Sequence, residues 1–196
     1  MSVTYPSAIA DFIQKLEAGN PLPPLVPQQE SCAELTQSLQ AVSTDVLFDG
    51  QKVKDTTFAD AIKSGLLLWN DALDASHTIS QELANATGSY WHGIMHRREP
   101  DYSNAKYWFG RVGTHAIFPE VRARALALYN ETSAPSAALA SIGQAIADNA
   151  AWDAAQFIDW CQAAESATDS DVVEFLQRVQ VEEMRLLLAY SYRNAV

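Results

Sequence analysis

Two histidines lie four residues apart, and a glutamate follows three residues later. On a helix, His92, His96 and Glu99 occupy positions i, i+4 and i+7, so their side chains project in nearly one direction. Two imidazoles and a carboxylate are a sufficient ligand set for zinc, nickel or iron, with coordination positions left open for a substrate. The spacing therefore allows a divalent-metal site, and a metal-dependent enzyme is one of the functions to be considered.

This spacing differs from that of the zincin proteases. Their HExxH motif needs a glutamate directly after the first histidine, where this chain has Gly93. Glu99 also precedes Pro100, which disfavours helical geometry at Glu99 and can turn its side chain away from the common face. A histidine pair on a helix surface, with no metal, is the alternative.

A second polar strip precedes this motif on a predicted helix. It consists of Asn70, Asp74, His77 and Gln81. If the strip faces His92 and His96, then His77 supplies a third imidazole and Asp74 orients it, as carboxylates do behind metal-binding histidines. The alternative is a solvated helix face.

Residues 88–115 form a basic, aromatic segment in an acidic chain. The segment has three of the four histidines, six of the 19 aromatic residues and a net charge of +2, whereas the whole chain has a net charge of −11. Such a segment favours a cleft for a small anionic molecule, in which arginine pairs with carboxylate or phosphate and aromatic rings exclude water. The candidate binding residues are His77, Trp91, His92, His96, Arg97, Arg98, Glu99 and Lys106.

The two arginines have a second interpretation. Glu99 and Asp101 are close enough in sequence to neutralise Arg97 and Arg98 in a structural ion-pair cluster. We expect one arginine to be structural and the other to face the cleft beside His96. Most aromatic residues of the segment are expected in the core, with one or two at a pocket.

The segment also carries a recognisable signature. GSYWHGIMHRREPD, followed by NAKYWFGRVG, resembles a family of uncharacterised bacterial proteins with the pattern GSYWHxIMHRREPD and then NAxYWFxRVG. The stretch from Trp69 to Gln81 is similar to that family as well. No activity is assigned to the family, so the resemblance implies a shared signature and no reaction.

The hydrophobic periodicity is helical almost throughout, which predicts an all-α single domain of antiparallel helices and helical hairpins. A proline-rich connector covers 20–29, and a short hairpin or tight loop is predicted at 46–53. Aromatic and alanine pairs three residues apart, at Trp69, Tyr102 and Trp152, resemble a tetratricopeptide-type repeat. The predicted helices are 7–18, 31–42, 57–83, 89–98, 103–112, 119–130, 134–148, 150–166 and 170–193.

Composition narrows the function classes. A net charge of −11 disfavours nucleic acid and anionic bilayers as partners, and no apolar run reaches the roughly 20 residues of a membrane span. Charged residues near the start and two distant cysteines, Cys32 and Cys161, predict a cytoplasmic protein without disulfides. Three hypotheses remain: a protein that binds a small anionic molecule or a protein partner, a metal-dependent enzyme, and a helical-repeat scaffold.

Overall fold

The computed structural model describes residues 3–196, which form eleven α-helices and no strand. The predicted all-α class is confirmed. The helices are α1 Ser7–Gly19, α2 Ala33–Ala41, α3 Thr44–Leu47, α4 Thr56–Trp69, α5 Leu73–Ser80, α6 Ala86–Arg98, α7 Tyr102–Val112, α8 Phe118–Glu131, α9 Ala137–Asp148, α10 Ala154–Ala164 and α11 Ser170–Ala195.

The long helix predicted over 57–83 is two helices, α4 and α5. Asp71, between them, has φ of 62°, a left-handed conformation that a continuing helix excludes. Its carboxylate accepts hydrogen bonds from Asn20 Nδ2, at 2.8 Å, and from the Ser31 hydroxyl, and it pairs with Arg98. These partners are at least 27 positions away in the chain, so helical periodicity gives no sign of the break.

The predicted start of α2 is also corrected. The sequence predicts that Ser31 caps this helix together with Glu34, but the N-cap residue is Cys32 and no side chain caps the helix. The Ser31 hydroxyl bonds instead to Asp71. A long-range partner therefore replaces the local one.

Helix α6 begins three residues before its predicted start at Ser89. The side chain of Asn85 accepts a hydrogen bond from the backbone N–H of Gly88 at 2.7 Å, which makes Asn85 the N-cap. Ser89 therefore lies inside the helix. The last helix begins as expected, because Asp169 caps α11.

The loop at 46–53 contains no strand. Asp49 and Gly50 have φ of 51° and 71°, so the chain makes a tight turn after α3. The Asp49 carboxylate accepts hydrogen bonds from the backbone N–H and the hydroxyl of Ser7, at 2.6 and 2.8 Å. The turn is thereby attached to the start of α1.

Helix α6 is at the centre of the single core. Every residue from Thr87 to Arg98 is buried, and the helix packs against α4, α5 and α7. Two glycines permit the close approach: a Cβ at Gly65 would lie 2.6 Å from the Trp91 ring, and one at Gly93 would lie 2.8 Å from the Phe109 ring. The histidines of α6 are therefore surrounded by protein.

The proposed repeat has no common register. Trp69 is the last residue of α4, Tyr102 is the first residue of α7, and Trp152 precedes the N-cap of α10. The three aromatic residues thus occupy different positions relative to their helices. They give no support to a tetratricopeptide unit.

Two further expectations concern the cysteines and membrane spans. Along residues 3–196, no helix combines the length and apolar character needed to cross a membrane. Both cysteines are free; Cys161 is buried and Cys32 is half-buried. Burial raises the pKa of the Cys161 thiol to about 12, which keeps it protonated and unreactive at neutral pH.

Candidate metal centre

Three imidazoles meet where α5 packs on α6. One ring nitrogen from each of His77, His92 and His96 lies within 4.8 Å of the other two. The centroid of the His77 ring is 4.7 Å from that of His92 and 5.4 Å from that of His96. The centroids of the His92 and His96 rings are 4.7 Å apart. We refer to these residues as the histidine cluster. In the part of the chain that the structure describes, no other group of three metal-ligating side chains comes this close.

His92 is the central member of the cluster. Only 3% of the residue is exposed, and within residues 3–196 neither of its ring nitrogens has a hydrogen-bond partner. Its ring stacks on Trp108, with centroids 4.0 Å apart and planes inclined by 19°. Buried polar atoms are nearly always paired, because an unpaired one costs about 1–3 kcal/mol. A metal ion bound to one nitrogen would supply a missing partner.

His96 is oriented by its neighbours. Its Nδ1 lies 2.9 Å from Glu99 Oε2, and Asn104 Nδ2 lies 3.0 Å from its Nε2. If Nδ1 carries the proton and donates it to Glu99, Nε2 accepts the hydrogen bond from Asn104, and a metal ion would take the place of Asn104 at this lone pair. Carboxylates commonly occupy this place behind a metal-bound histidine. Glu99 is predicted from the sequence as a ligand, but in the structure it orients His96, and His77 provides the third nitrogen.

The protonation states of His92 and His96 suit metal binding. Burial lowers the pKa of His92 to about 4, with smaller contributions from the charges of His96 and His77. Burial also lowers the pKa of His96, against the opposing effect of Glu99. Both rings are therefore neutral at pH 7, and neutral imidazole is the form that binds metal ions.

The nitrogen atoms of the cluster are farther apart than the ligands of a bound zinc ion. Nitrogens on a tetrahedral zinc, with Zn–N of about 2.1 Å, are about 3.4 Å apart, whereas those of the cluster are separated by up to 4.8 Å. The rings would have to approach one another by up to about 1.4 Å to share a zinc ion, and His77, which is half-buried on α5, is less confined than the two buried rings on α6. His77, His92 and His96 would hold the zinc ion and leave it accessible to a water molecule.

Arg97 does not face a cleft. It is 1% exposed, and its Nη2 donates a hydrogen bond of 2.6 Å to Glu183 Oε2 on α11. Its guanidinium lies 4.5 Å from the centre of the Phe157 ring. Glu183 also accepts a hydrogen bond from the Tyr90 hydroxyl at 2.9 Å. Arg97 is therefore part of a buried network between α6, α10 and α11.

Arg98 is buried as well. It pairs with Asp71 and donates hydrogen bonds to the carbonyl oxygens of Leu68 and, at 3.0 Å, Pro24. The expectation that one arginine is structural and the other faces the cleft is therefore wrong, because both are structural. Their partners are distant acids rather than the neighbouring Glu99 and Asp101. A buried guanidinium group is stable only when a carboxylate is buried beside it, and here Glu183 and Asp71 provide these carboxylates.

Two other candidates lie away from the histidine cluster. Trp91 is fully buried against Gly65, and its Nε1 lies 3.5 Å from Ser191 Oγ. Lys106 pairs at the surface with Asp159. On α7 it projects away from Asn104 and Trp108, which contact the cluster.

Asn104 and Trp108 are site residues that the sequence did not single out. Their i, i+4 spacing was the available signal, because it places both side chains on one face of α7. That face packs on α6, with Asn104 against His96 and Trp108 against His92. The packing of α7 on α6 therefore completes the wall of the cluster.

Asp74 differs from the metal-site expectation, and His115, the fourth histidine, is outside the cluster. Asp74, predicted to orient His77, makes no side-chain hydrogen bond within residues 3–196, although it lies one turn before His77 on α5. His115 lies apart from the cluster, with its Nε2 3.2 Å from the Thr87 hydroxyl. Burial lowers its pKa to about 4.

No protein-family model, curated protein sequence or solved structure matches the chain. The resemblance of residues 88–115 to an uncharacterised bacterial family therefore stays a prediction. Any functional conclusion depends on the chemistry of the site itself.

Proposed function

We propose that the protein is a metal-dependent enzyme whose divalent metal ion is bound by His77, His92 and His96. The observation that carries this proposal is the state of His92. Its two ring nitrogens are buried without partners, next to two other imidazoles. A cluster with only a packing role would leave this desolvation cost without compensation.

Zinc is the metal that this ligand set fits best. Imidazole also suits nickel and iron, but three histidines and one water are a common set of ligands for catalytic zinc. A zinc ion held by these residues would activate a water molecule as a nucleophile near neutral pH. Glu99 strengthens the donation of electron density by His96 by accepting the hydrogen bond from its Nδ1. The reaction class is hydrolysis or hydration.

The other two hypotheses have less support. A cleft for an anionic molecule needs free cations, and both Arg97 and Arg98 are engaged with buried acids. A scaffold role does not account for the unpaired nitrogens of His92. We infer a cytoplasmic location from the two free cysteines, which are typical of a reducing compartment.

The proposal is tested by the metal content of protein purified without a histidine tag. After incubation with zinc and dialysis, elemental analysis is expected to find about one zinc per chain, with tetrahedral geometry in the cobalt-substituted form. His92→Ala should lose the metal. His77→Gln should also lose it and, because His77 is half-buried, should keep the fold, as circular dichroism would verify.

His115→Gln is the matched control, because it removes a buried histidine outside the cluster. It should keep the metal. Wild-type protein without bound metal, or equal zinc in the wild type and the His77 and His92 variants, would overturn the proposal.

A further inference from the structure

His92 and His96 differ in the partners of their ring nitrogens. Both rings are buried, with 3% and 6% of the two residues exposed. The nitrogens of His92 have no hydrogen-bond partner within residues 3–196. His96 has two partners, Glu99 at Nδ1 and Asn104 at Nε2. In His96, the nitrogen that a metal ion would use is therefore already bonded to another side chain.

The chemistry of these two partners sets the direction of each hydrogen bond. A carboxylate only accepts, so His96 Nδ1 donates to Glu99. An amide nitrogen only donates, so Asn104 Nδ2 donates to Nε2 over a distance of 3.0 Å. An amide hydrogen and a metal ion exclude each other at this nitrogen, because both need its lone pair and both carry positive charge.

The position of Asn104 in the fold allows its side chain to leave His96. Asn104 is half-buried in the first turn of α7, three residues after the N-cap residue Asp101. The exposed Asp101 carboxylate accepts hydrogen bonds from the Asn104 backbone N–H at 3.1 Å and from the Ser103 hydroxyl at 3.0 Å. It offers the displaced amide an acceptor within the same helical turn. A rotation of the Asn104 side chain alone would therefore free Nε2, and α7 could stay packed on α6.

The hydrogen bond from Asn104 has opposite effects on the metal-free and the metal-bound protein. Without a metal, it gives the buried Nε2 a partner and so stabilises the fold. When a metal binds, the same hydrogen bond has to be broken, which lowers the affinity. His92 has no comparable donor within residues 3–196. The two histidines thus differ in what a metal ion must displace.

We propose that Asn104 is an internal competitor of the metal ion: its side-chain amide binds His96 Nε2 in the metal-free protein and is displaced when the ion binds. This inference rests on the proposed function, because it concerns the regulation of the same site. The competition lowers the affinity for the ion and stabilises the protein without it. Metal uptake is therefore reversible, and the metal-free protein stays folded.

The test measures zinc affinity in a competitive titration with a chromophoric chelator. Asn104→Ala should bind zinc at least about fivefold more tightly than the wild type, because the ion no longer displaces a hydrogen bond from Nε2. The metal-free variant should be less stable to urea than the metal-free wild type, and zinc should remove this difference. A residue with only a structural role would lower the stability of both forms and would not raise the affinity.

Asn149→Ala is the matched control. Asn149 is also half-buried, and its side-chain amide donates a hydrogen bond of 3.1 Å to Gln156 where α9 is followed by α10. This variant should bind zinc as tightly as the wild type. Unchanged or weaker zinc binding by Asn104→Ala would overturn the proposal.

A second measurement needs no metal. Long-range ¹H–¹⁵N NMR spectra of the metal-free wild type should show His96 protonated at Nδ1 and unprotonated at Nε2. The Nε2 resonance should shift in Asn104→Ala and should stay in place in Asn149→Ala. A proton on Nε2 would overturn the proposal, because the amide N–H could not donate to that nitrogen.

The outcomes separate this inference from the proposed function. Zinc binding by the wild type with unchanged affinity in Asn104→Ala would contradict the competitor role and leave the metal centre intact. Zinc binding by Asn104→Ala alone would support the competitor role and contradict the metal function of the wild type. Absence of zinc from both proteins would contradict both proposals.

Discussion

Arg98 and Asp71 form a buried ion pair at the point where the chain turns from α4 into α5. Asp71 has the left-handed conformation that ends the first helix, and Arg98 bonds in addition to the Leu68 carbonyl at the end of α4. The turn lets α5 pack on α6, and this packing brings the ring of His77 to 4.7 Å from that of His92. The Arg98–Asp71 ion pair thus positions His77, although neither of its residues belongs to the histidine cluster.

Arg98→Lys should destabilise the fold although it conserves charge. A lysine ammonium cannot reproduce the planar fork that bonds to Asp71 and to two carbonyl oxygens. We expect a loss of about 2–3 kcal/mol in the free energy of unfolding, measured by urea denaturation. Arg178→Lys, at an exposed pair with Glu131, should change it by less than about 0.5 kcal/mol. Equal stability of Arg98→Lys and the wild type would contradict the structural role of the Arg98 guanidinium.

Glu99→Gln should weaken metal binding without unfolding the protein. The Glu99 side chain is 50% exposed, so its loss costs little stability, but His96 loses the charged acceptor of its Nδ1 proton. Zinc affinity should fall by roughly 10- to 100-fold in a competitive titration with a chromophoric chelator. Glu120→Gln, at an exposed position, serves as the control. Unchanged affinity would mean that Glu99 has no influence on a metal at His96.

Two glycines of neighbouring helices should respond oppositely to alanine. A Cβ at Gly93 would lie 2.8 Å from two atoms of the Phe109 ring, so Gly93→Ala should separate α6 from α7 and cost about 1–3 kcal/mol. At Gly110, in α7, the methyl group of an alanine would meet no atom within 4 Å, so Gly110→Ala should stabilise the helix by about 0.5–1 kcal/mol. Denaturant melts of both variants measure the difference. A neutral Gly93→Ala would show that the contact of the two helices is looser than in the structure.

His115 should make the metal-free protein less stable in acid. Burial lowers the folded-state pKa of His115 to about 4, below the unfolded value of about 6.5. Its neutral form is favoured by folding, so this contribution is complete above pH 6.5 and is lost as the pH falls toward 4. Between pH 7 and pH 4.5 the loss should be about 2 kcal/mol.

His115→Gln isolates this contribution, because it removes this imidazole and leaves every other residue in place. Its free energy of unfolding should therefore fall by about 2 kcal/mol less than that of the wild type over the same interval. Parallel pH profiles of the two proteins would contradict the assigned pKa.

The sequence by itself determined the local part of this protein. Helical periodicity and capping residues such as Asp169 depend on neighbours within one or two turns, so most helices were predicted to within about three residues. The common face of His92 and His96 was predictable for the same reason, because 3.6 residues per turn fix the relative direction of side chains four apart.

Only the tertiary structure decided which distant residues contact the residues of α6. The buried acids that pair with Arg97 and Arg98 are 86 and 27 positions away, and the helix break at Asp71 depends on the second of these pairs. His77 lies in the cluster because this break lets α5 pack on α6. A local pattern carries no information about such partners, because the cost of burying a charge and the charge that offsets it depend on which helices pack together.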